Sequence, residues 1–164
     1  QSPNGQRTLL DGQDVTDAVR GADVTNAVSI VAACPTVRRA MVLLQRRIGN
    51  DGGVVMDGRD IGSGVFPNAH VKVFLVADVE ERIRRRLAEA TAQGQAASES
   101  DIRRQIVERD RLDSSREDSP LIRASGSVDI DTTSLTIDDQ VQRIIDLVAA
   151  YHRTYDLIST FGSL

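Results

Sequence analysis

A chain of 164 residues is one domain's worth, long enough to bury a core. Its 40% hydrophobic content and formal net charge of −4 match the composition of soluble globular proteins and argue against a general nucleic-acid binder. No apolar run approaches the roughly 20 residues a bilayer span needs, nothing resembles a signal peptide, and the single cysteine, Cys34, excludes an internal disulfide, so the cytoplasm is the expected compartment.

The chain opens on Gln1-Ser2-Pro3-Asn4-Gly5, a turn without an initiator methionine, which suggests a cleaved or truncated product. Arg7–Leu10 reads as a short extended piece ending at the Asp11-Gly12 turn, and residues 14–20 as a helix with Asp14 as its N-cap. A helix over 23–33 stops before Pro35, with Cys34 as a small core residue of its Ala-rich end. Pro35 opens the next helix, Thr36–Ile48, where Val37, Met41, Leu44 and Ile48 repeat at helical spacing. Val54–Met56, Val71–Val76 and Val128–Ile130 read as buried strands. Helices at 79–93 and 98–115, joined by the flexible "TAQGQAASES", lie between the last two strands. A final amphipathic helix covers 138–150 with Val141, Ile144, Ile145 and Val148 inward; whether the tail after Tyr155 frays or stays helical is left open. Alternating strands and helices predict a parallel α/β sheet.

Open parallel sheets bind ligands beyond the carboxyl ends of their strands. The stretch "MDGRDIGSGVFPNA", residues 56–69, puts Arg59 and Asp60 at such an end, among glycines that let the backbone turn sharply. A structural Asp-Gly turn with a surface Arg-Asp pair is the other reading, and this stretch alone does not decide between them.

A second constellation favours a site. In "QIVERDRLDSSRED", Arg109, Asp113 and Arg116 stand at i, i+4 and i+7 on one helical face, which continues backward through Ile106 and Ile102. A solvated i,i+4 salt bridge explains Arg109 with Asp113 but not why an apolar stripe ends in charges. The chain has nineteen arginines and one lysine, Lys72; ten arginines and ten acids share residues 80–123. Such a balance suits a helical hairpin whose arginines stay paired until a small anion arrives, since guanidinium grips phosphate oxygens bidentately.

"VVMDGRDIGSGVFPNAHVKVFLVADVEERIRRRL", "ERDRLDSSRED-SPL" and "DIDTTSLTIDDQVQRI" together resemble the bacterial cytidylate kinase family, and so does the upstream "LLDGQDVTDAVRGADVTNAVSIVAACPTVRRAMVLLQRRIG". The likeness runs from Leu9 to Leu147, with several motifs in the family's order. It implies a P-loop nucleoside-monophosphate kinase fold: a five-stranded parallel sheet flanked by helices, with a CMP-binding insert and a helical lid. Residues 1–50 then belong to the insert, 51–79 to core strands and the acceptor loop, 80–120 to the lid, and 121–164 to a core strand and the last helix.

The resemblance also implies roles. Ser29, Arg38 and Asp60 match positions that recognise cytosine, where an Asp accepts from the exocyclic amine and Ser and Arg donate to base acceptors. Arg59 approaches the CMP phosphate; Arg109 and Asp113 contact the pentose, so deoxyribose is allowed. Arg116, with Arg82, Arg85 and Arg86 of the lid, holds the transferring phosphates, and Thr132 and Thr133 fall near the adenine. The implied partners are CMP, dCMP and ATP with Mg²⁺, without protein metal ligands; a monomer free of nucleic-acid polymer and membrane is expected.

Departures accompany the match. No G-x-x-x-x-G-K-[ST] occurs in these 164 residues, Lys72 lies inside a strand, the family's "DSG…YR" segment is missing, and Ser63 stands where the family usually has Thr. Phosphoryl transfer relies on that loop's amides, its Lys and Mg²⁺, so the chain alone is expected to be inactive. Without the loop's strand, those at 54–56 and 71–76 lack a partner between them, and the sequence reads as the carboxyl-terminal three-quarters of a cytidylate kinase. The alternatives are a non-catalytic nucleotide-binding pseudokinase module, disfavoured by a retained lid, and a basic-helix nucleic-acid protein, disfavoured by the balanced lid charges.

Overall fold

Helix-forming runs and β-branched runs alternate along the chain, and a computed structural model shows which of them find partners. It describes residues 7–92, 94 and 96–161, with the side chains of 22, 26, 29 and 155–161 left out. The opening Gln1-Gly5 turn lies outside those residues.

The chain begins with a two-residue antiparallel hairpin, β1 (Leu9–Leu10) with β2 (Gln13–Asp14), turning at Asp11 and Gly12, both with positive φ. Asp14 is therefore not a helix N-cap. Its carboxylate accepts from Thr16 N at 3.0 Å, Thr16 Oγ1 at 2.6 Å and Arg7 Nε at 2.7 Å, tying the hairpin's base instead of starting a helix. Only Ala18–Arg20 turns, as 3₁₀. Helices α1 (Ala22–Ala33) and α2 (Pro35–Gly49) follow, packed on each other, with Pro35 at the first turn where its missing N–H costs nothing. Cys34 between them is exposed, which corrects the core reading: a residue joining two helices at a break has little around it to be buried in.

Residues 54–56 do not form a strand. The segment is irregular and Val55 is 95% exposed, because no other strand among the described residues offers it a ladder. Asp60 then opens one π turn, Ile61–Val65, in which Val65 N donates to Asp60 O at 3.1 Å and Phe66 N to Ile61 O at 2.7 Å.

The parallel sheet among the described residues is a pair, β3 (Val73–Val76) with β4 (Val128–Asp131), in the register Val73 to Val128. Between them runs a helical hairpin, α3 (Val79–Ala92) and α4 (Glu99–Ser114), whose Ser98 N-cap accepts from Asp101 N at 3.1 Å. Ile83 of α3 and Ile102 of α4 are buried in this region, with Ile130 of β4 and Val65 of the π turn. The last helix, α5 (Ile137–Phe161), settles the tail as helical, eleven residues beyond the expected end. It meets the start of β3 where the rings of His70 and Tyr151 stack, centroids 5.0 Å apart. Val141, Ile145 and Val148, read as inward, are exposed, and so are Val37, Met41, Leu44 and Ile48 of α2: their stripes are apolar as periodicity implied, but no described element covers them.

Candidate functional site

The π turn owes its shape to a residue without a side chain. A Cβ on Gly64 would stand 3.1 Å from Ser119 Oγ and 3.4 Å from Asp60 Oδ2, so the backbone comes close to the Asp60 carboxylate only without a side chain there. Asp60 is 9% exposed, and its carboxylate accepts from Arg38 Nη1 of α2 at 2.6 Å. Arg38 Nε donates to Ala32 O at 3.1 Å, fixing the guanidinium against the end of α1. Two residues expected at the base are thus paired, and both are largely buried. Ser29 lies on α1, but its side chain is outside the described residues.

The apolar stripe of α4 does end in charge. Asp113 is 1% exposed; Arg59 Nε donates to its Oδ2 at 2.9 Å, Arg116 Nη2 donates to its Oδ1, and Arg109 Nε stands 3.8 Å away. Three guanidinium groups around one carboxylate leave an excess of positive charge. Burial pushes the Arg109 guanidinium below its usual range, the neighbouring Arg59, Arg86 and Arg116 push the same way, and Asp113 opposes them. This corner therefore lacks negative charge, and an anion placed there relieves the repulsion. Because Arg59 precedes Asp60 in the chain, the two expected constellations meet here.

The other lid arginines are occupied. Arg82 forks onto Asp110 of α4 at 2.6 and 2.9 Å, which draws the Asp110 carboxyl below the ordinary range, and Arg86 donates to Glu89 at 2.6 Å. Arg85 reaches the end of β4: its Nη2 donates to Thr132 O, its Nη1 to Thr132 Oγ1 at 3.2 Å and its Nε to Glu81 at 2.7 Å. Thr132 is buried and its Oγ1 donates to Val76 O at 3.0 Å, while Thr133 Oγ1 accepts from Asp78 N at 3.0 Å. The two threonines thus pin the start of the hairpin to the strand ends. Of the residues expected around the phosphates, the structure joins Arg59 and Arg116 at Asp113 and holds Arg82, Arg85 and Arg86 in separate pairs. Among the described residues no group of three or more His, Cys, Asp or Glu is placed to hold a metal ion.

Sequence reasoning passed over Arg46. It stands eight residues after Arg38 on α2, and its Nε donates to Val65 O at 2.9 Å and its Nη2 to Gly64 O at 2.8 Å. The repeat of an arginine two turns along one helix was the available signal.

A parallel strand pair carrying a helical hairpin, with buried carboxylates gripped by arginine beside the strands, places the chain in the α/β class. A family model described as cytidylate kinase matches residues 2–150, and the chain belongs to that family, whose fold is that of P-loop nucleoside-monophosphate kinases. It is 54% identical over 147 residues to a cytidylate kinase of Geobacillus kaustophilus, covering 90% of this chain and 66% of that protein. Against cytidylate kinases of Enterococcus faecalis and Bacillus cereus the identities are 53% over 148 residues and 48% over 149, covering 90% and 91% of this chain and 66% of each relative. The chain thus spans just under two thirds of the length of these relatives.

Proposed function

We propose that the full-length protein transfers the γ-phosphate of ATP to CMP or dCMP, giving CDP or dCDP and ADP. The observation that carries this reading is the adjacency of two arrangements: Arg38 on Asp60, and three arginines on the buried Asp113, linked through Arg59. In this reading Asp60 and Arg38, with Ser29, recognise the cytosine edge, Arg59 and Arg116 take phosphate oxygens, and Arg109 and Asp113 meet the pentose. Arg82, Arg85 and Arg86 exchange their present carboxylate or carbonyl partners for ATP phosphates as the lid closes, and Thr132 and Thr133 border the adenine. Mg²⁺ arrives on ATP and neutralises phosphate charge; this chain's own residues orient the acceptor and hold the transferring group. Residues 1–50 serve as the acceptor-binding insert, 51–79 as core and acceptor loop, 80–120 as the lid and 121–164 as core strand and last helix. The same reading makes the protein a cytoplasmic monomer working on small molecules.

The test is coupled ADP release by the full-length protein with ATP, Mg²⁺ and each of CMP, dCMP, UMP and AMP. Turnover with CMP and dCMP well above that with AMP is expected. A preference for AMP, or no turnover with any of the four, overturns the reading.

A further inference from the structure

We propose that Arg46 is a positioning residue for Asp60, acting through the π turn that joins them. The inference rests on the acceptor role proposed for Asp60 and assigns a determinant of that role outside the site.

Helix α2 touches the Asp60–Val65 turn at two points. Near its start, Arg38 grips the Asp60 carboxylate. About 12 Å further along the axis, given eight residues at helical rise, Arg46 spans two successive carbonyls, Gly64 and Val65, with Nη2 and Nε. The same two peptide units face the start of the turn with their N–H groups: Val65 N donates to Asp60 O at 3.1 Å and Phe66 N to Ile61 O at 2.7 Å. A wide turn leaves its last carbonyls without partners inside the turn, and a planar guanidinium supplies two parallel donors at once. Arg46 therefore holds the far side of the peptides whose near side fixes the Asp60 and Ile61 carbonyls, while Arg38 fixes the Asp60 side chain. Asp60 is held from both directions by one helix.

A second contact sets the distance between helix and turn. The end of α2 abuts the ring of Phe66, the residue after the turn; a Cβ on Gly49 would lie 2.5 Å from Phe66 Cζ. With a side chain at 49 the Phe66 ring or the end of α2 must shift, and with it the reach of Arg46 to the two carbonyls.

The full-length protein, with Arg46→Met, Arg46→Lys, Gly49→Ala and Asp60→Ala prepared in parallel, tests this by KM for CMP, KM for ATP and kcat. Arg46→Met is expected to raise KM for CMP about tenfold, the scale of losing charge-assisted hydrogen bonds, with KM for ATP held within about twofold. Arg46→Lys recovers part of the loss, because an ammonium replaces one donor of the fork. Gly49→Ala moves KM for CMP in the same direction with every polar group kept, so it carries the test if Arg46→Met does not fold. An unchanged KM for CMP in folded Arg46→Met, or in Gly49→Ala where Arg46→Met does not fold, or equal rises for CMP and ATP, overturns the inference. Failure of the wild type to use CMP, or of Asp60→Ala to raise its KM, strikes the proposed function instead.

Discussion

Asp60 and Asp113 are both buried carboxylates held by arginine, but removing them has different consequences. Asp60→Ala frees Arg38 near the acceptor loop; in the full-length protein it is expected to weaken CMP use by about 1–3 kcal/mol, the range for a buried polar group left unpaired, and to leave ATP binding nearly as it was. Kinetics with both nucleotides check this, and equal losses remove Asp60 from the acceptor site. Asp113→Ala leaves three guanidinium groups facing one another without their shared counter-charge, a destabilisation of about 3 kcal/mol, scaled to the loss of one partner from a buried pair. Its melting temperature should fall along with turnover, whereas Arg109→Met, at a half-exposed position, should lower turnover with CMP and dCMP while melting like wild type. Much of this was legible in the sequence. The i, i+4 spacing of Arg109 and Asp113 marks one face of α4, and the stripe from Ile102 marks which way it points; Arg116, expected on that face, lies past the helix end at Ser114 and reaches Asp113 from the segment that follows. That Arg59 completes the ring is a contact across 54 residues, and no local pattern encodes it.

At the scale of elements, the hairpin α3–α4 is stitched by charge. Arg82 with Asp110 and Arg103 with Glu80, both two-pronged, join the helices, and Glu81 takes Arg84 and Arg85 along α3. The Arg84 hydrogen bonds, with Arg85 adding to them, pull the Glu81 carboxyl from 4.5 to about 2. A carboxyl depressed in the folded state stabilises the fold above its unfolded pKa, so this contribution is complete above about pH 4.5 and disappears as pH falls toward 2. Titration of the Glu81 carboxyl carbon by NMR should give a midpoint near 2; a midpoint near 4.5 means the arginines are not its partners. The helices were readable because capping, proline and 3.6-residue spacing are local signals, good here to within a residue or two for α1 to α4. The strand expected at 54–56 was not, since a run of β-branched residues becomes a strand only where another strand lies beside it. Val71 and Lys72 fall outside β3, whose ladder with β4 starts at Val73.

Across the molecule, apolar side chains outnumber the places that cover them. The buried hydrophobic residues among those described are Val65, Ile83, Ile102 and Ile130, while α1, α2 and α5 expose valines, leucines and isoleucines in rows. Residues 1–164 taken alone are therefore expected to bind a hydrophobic dye strongly, to melt without a cooperative transition and to form no ADP with CMP, ATP and Mg²⁺, since burial on this scale falls short of what sustains a stability of about 5–15 kcal/mol. A sharp melt with turnover by these residues alone refutes that expectation and the need for a phosphate loop with it. The distribution of titrating groups has its own consequence. Every cation drawn into the candidate site is an arginine, which holds its proton throughout the working range of proteins. The lone lysine spends its ammonium on Pro67 O, 2.8 Å away, and the two histidines sit at the head of β3 and on α5. The attraction offered to a nucleotide is thus a constant from mildly acid to alkaline solution. If the full-length protein acts on a nucleoside monophosphate as proposed, kcat/KM for it is expected to rise between pH 5 and 7 as the substrate phosphate sheds its second proton at about pH 6, and to run level from there to pH 9; a further inflection in that range means a titrating group outside these arginines takes part.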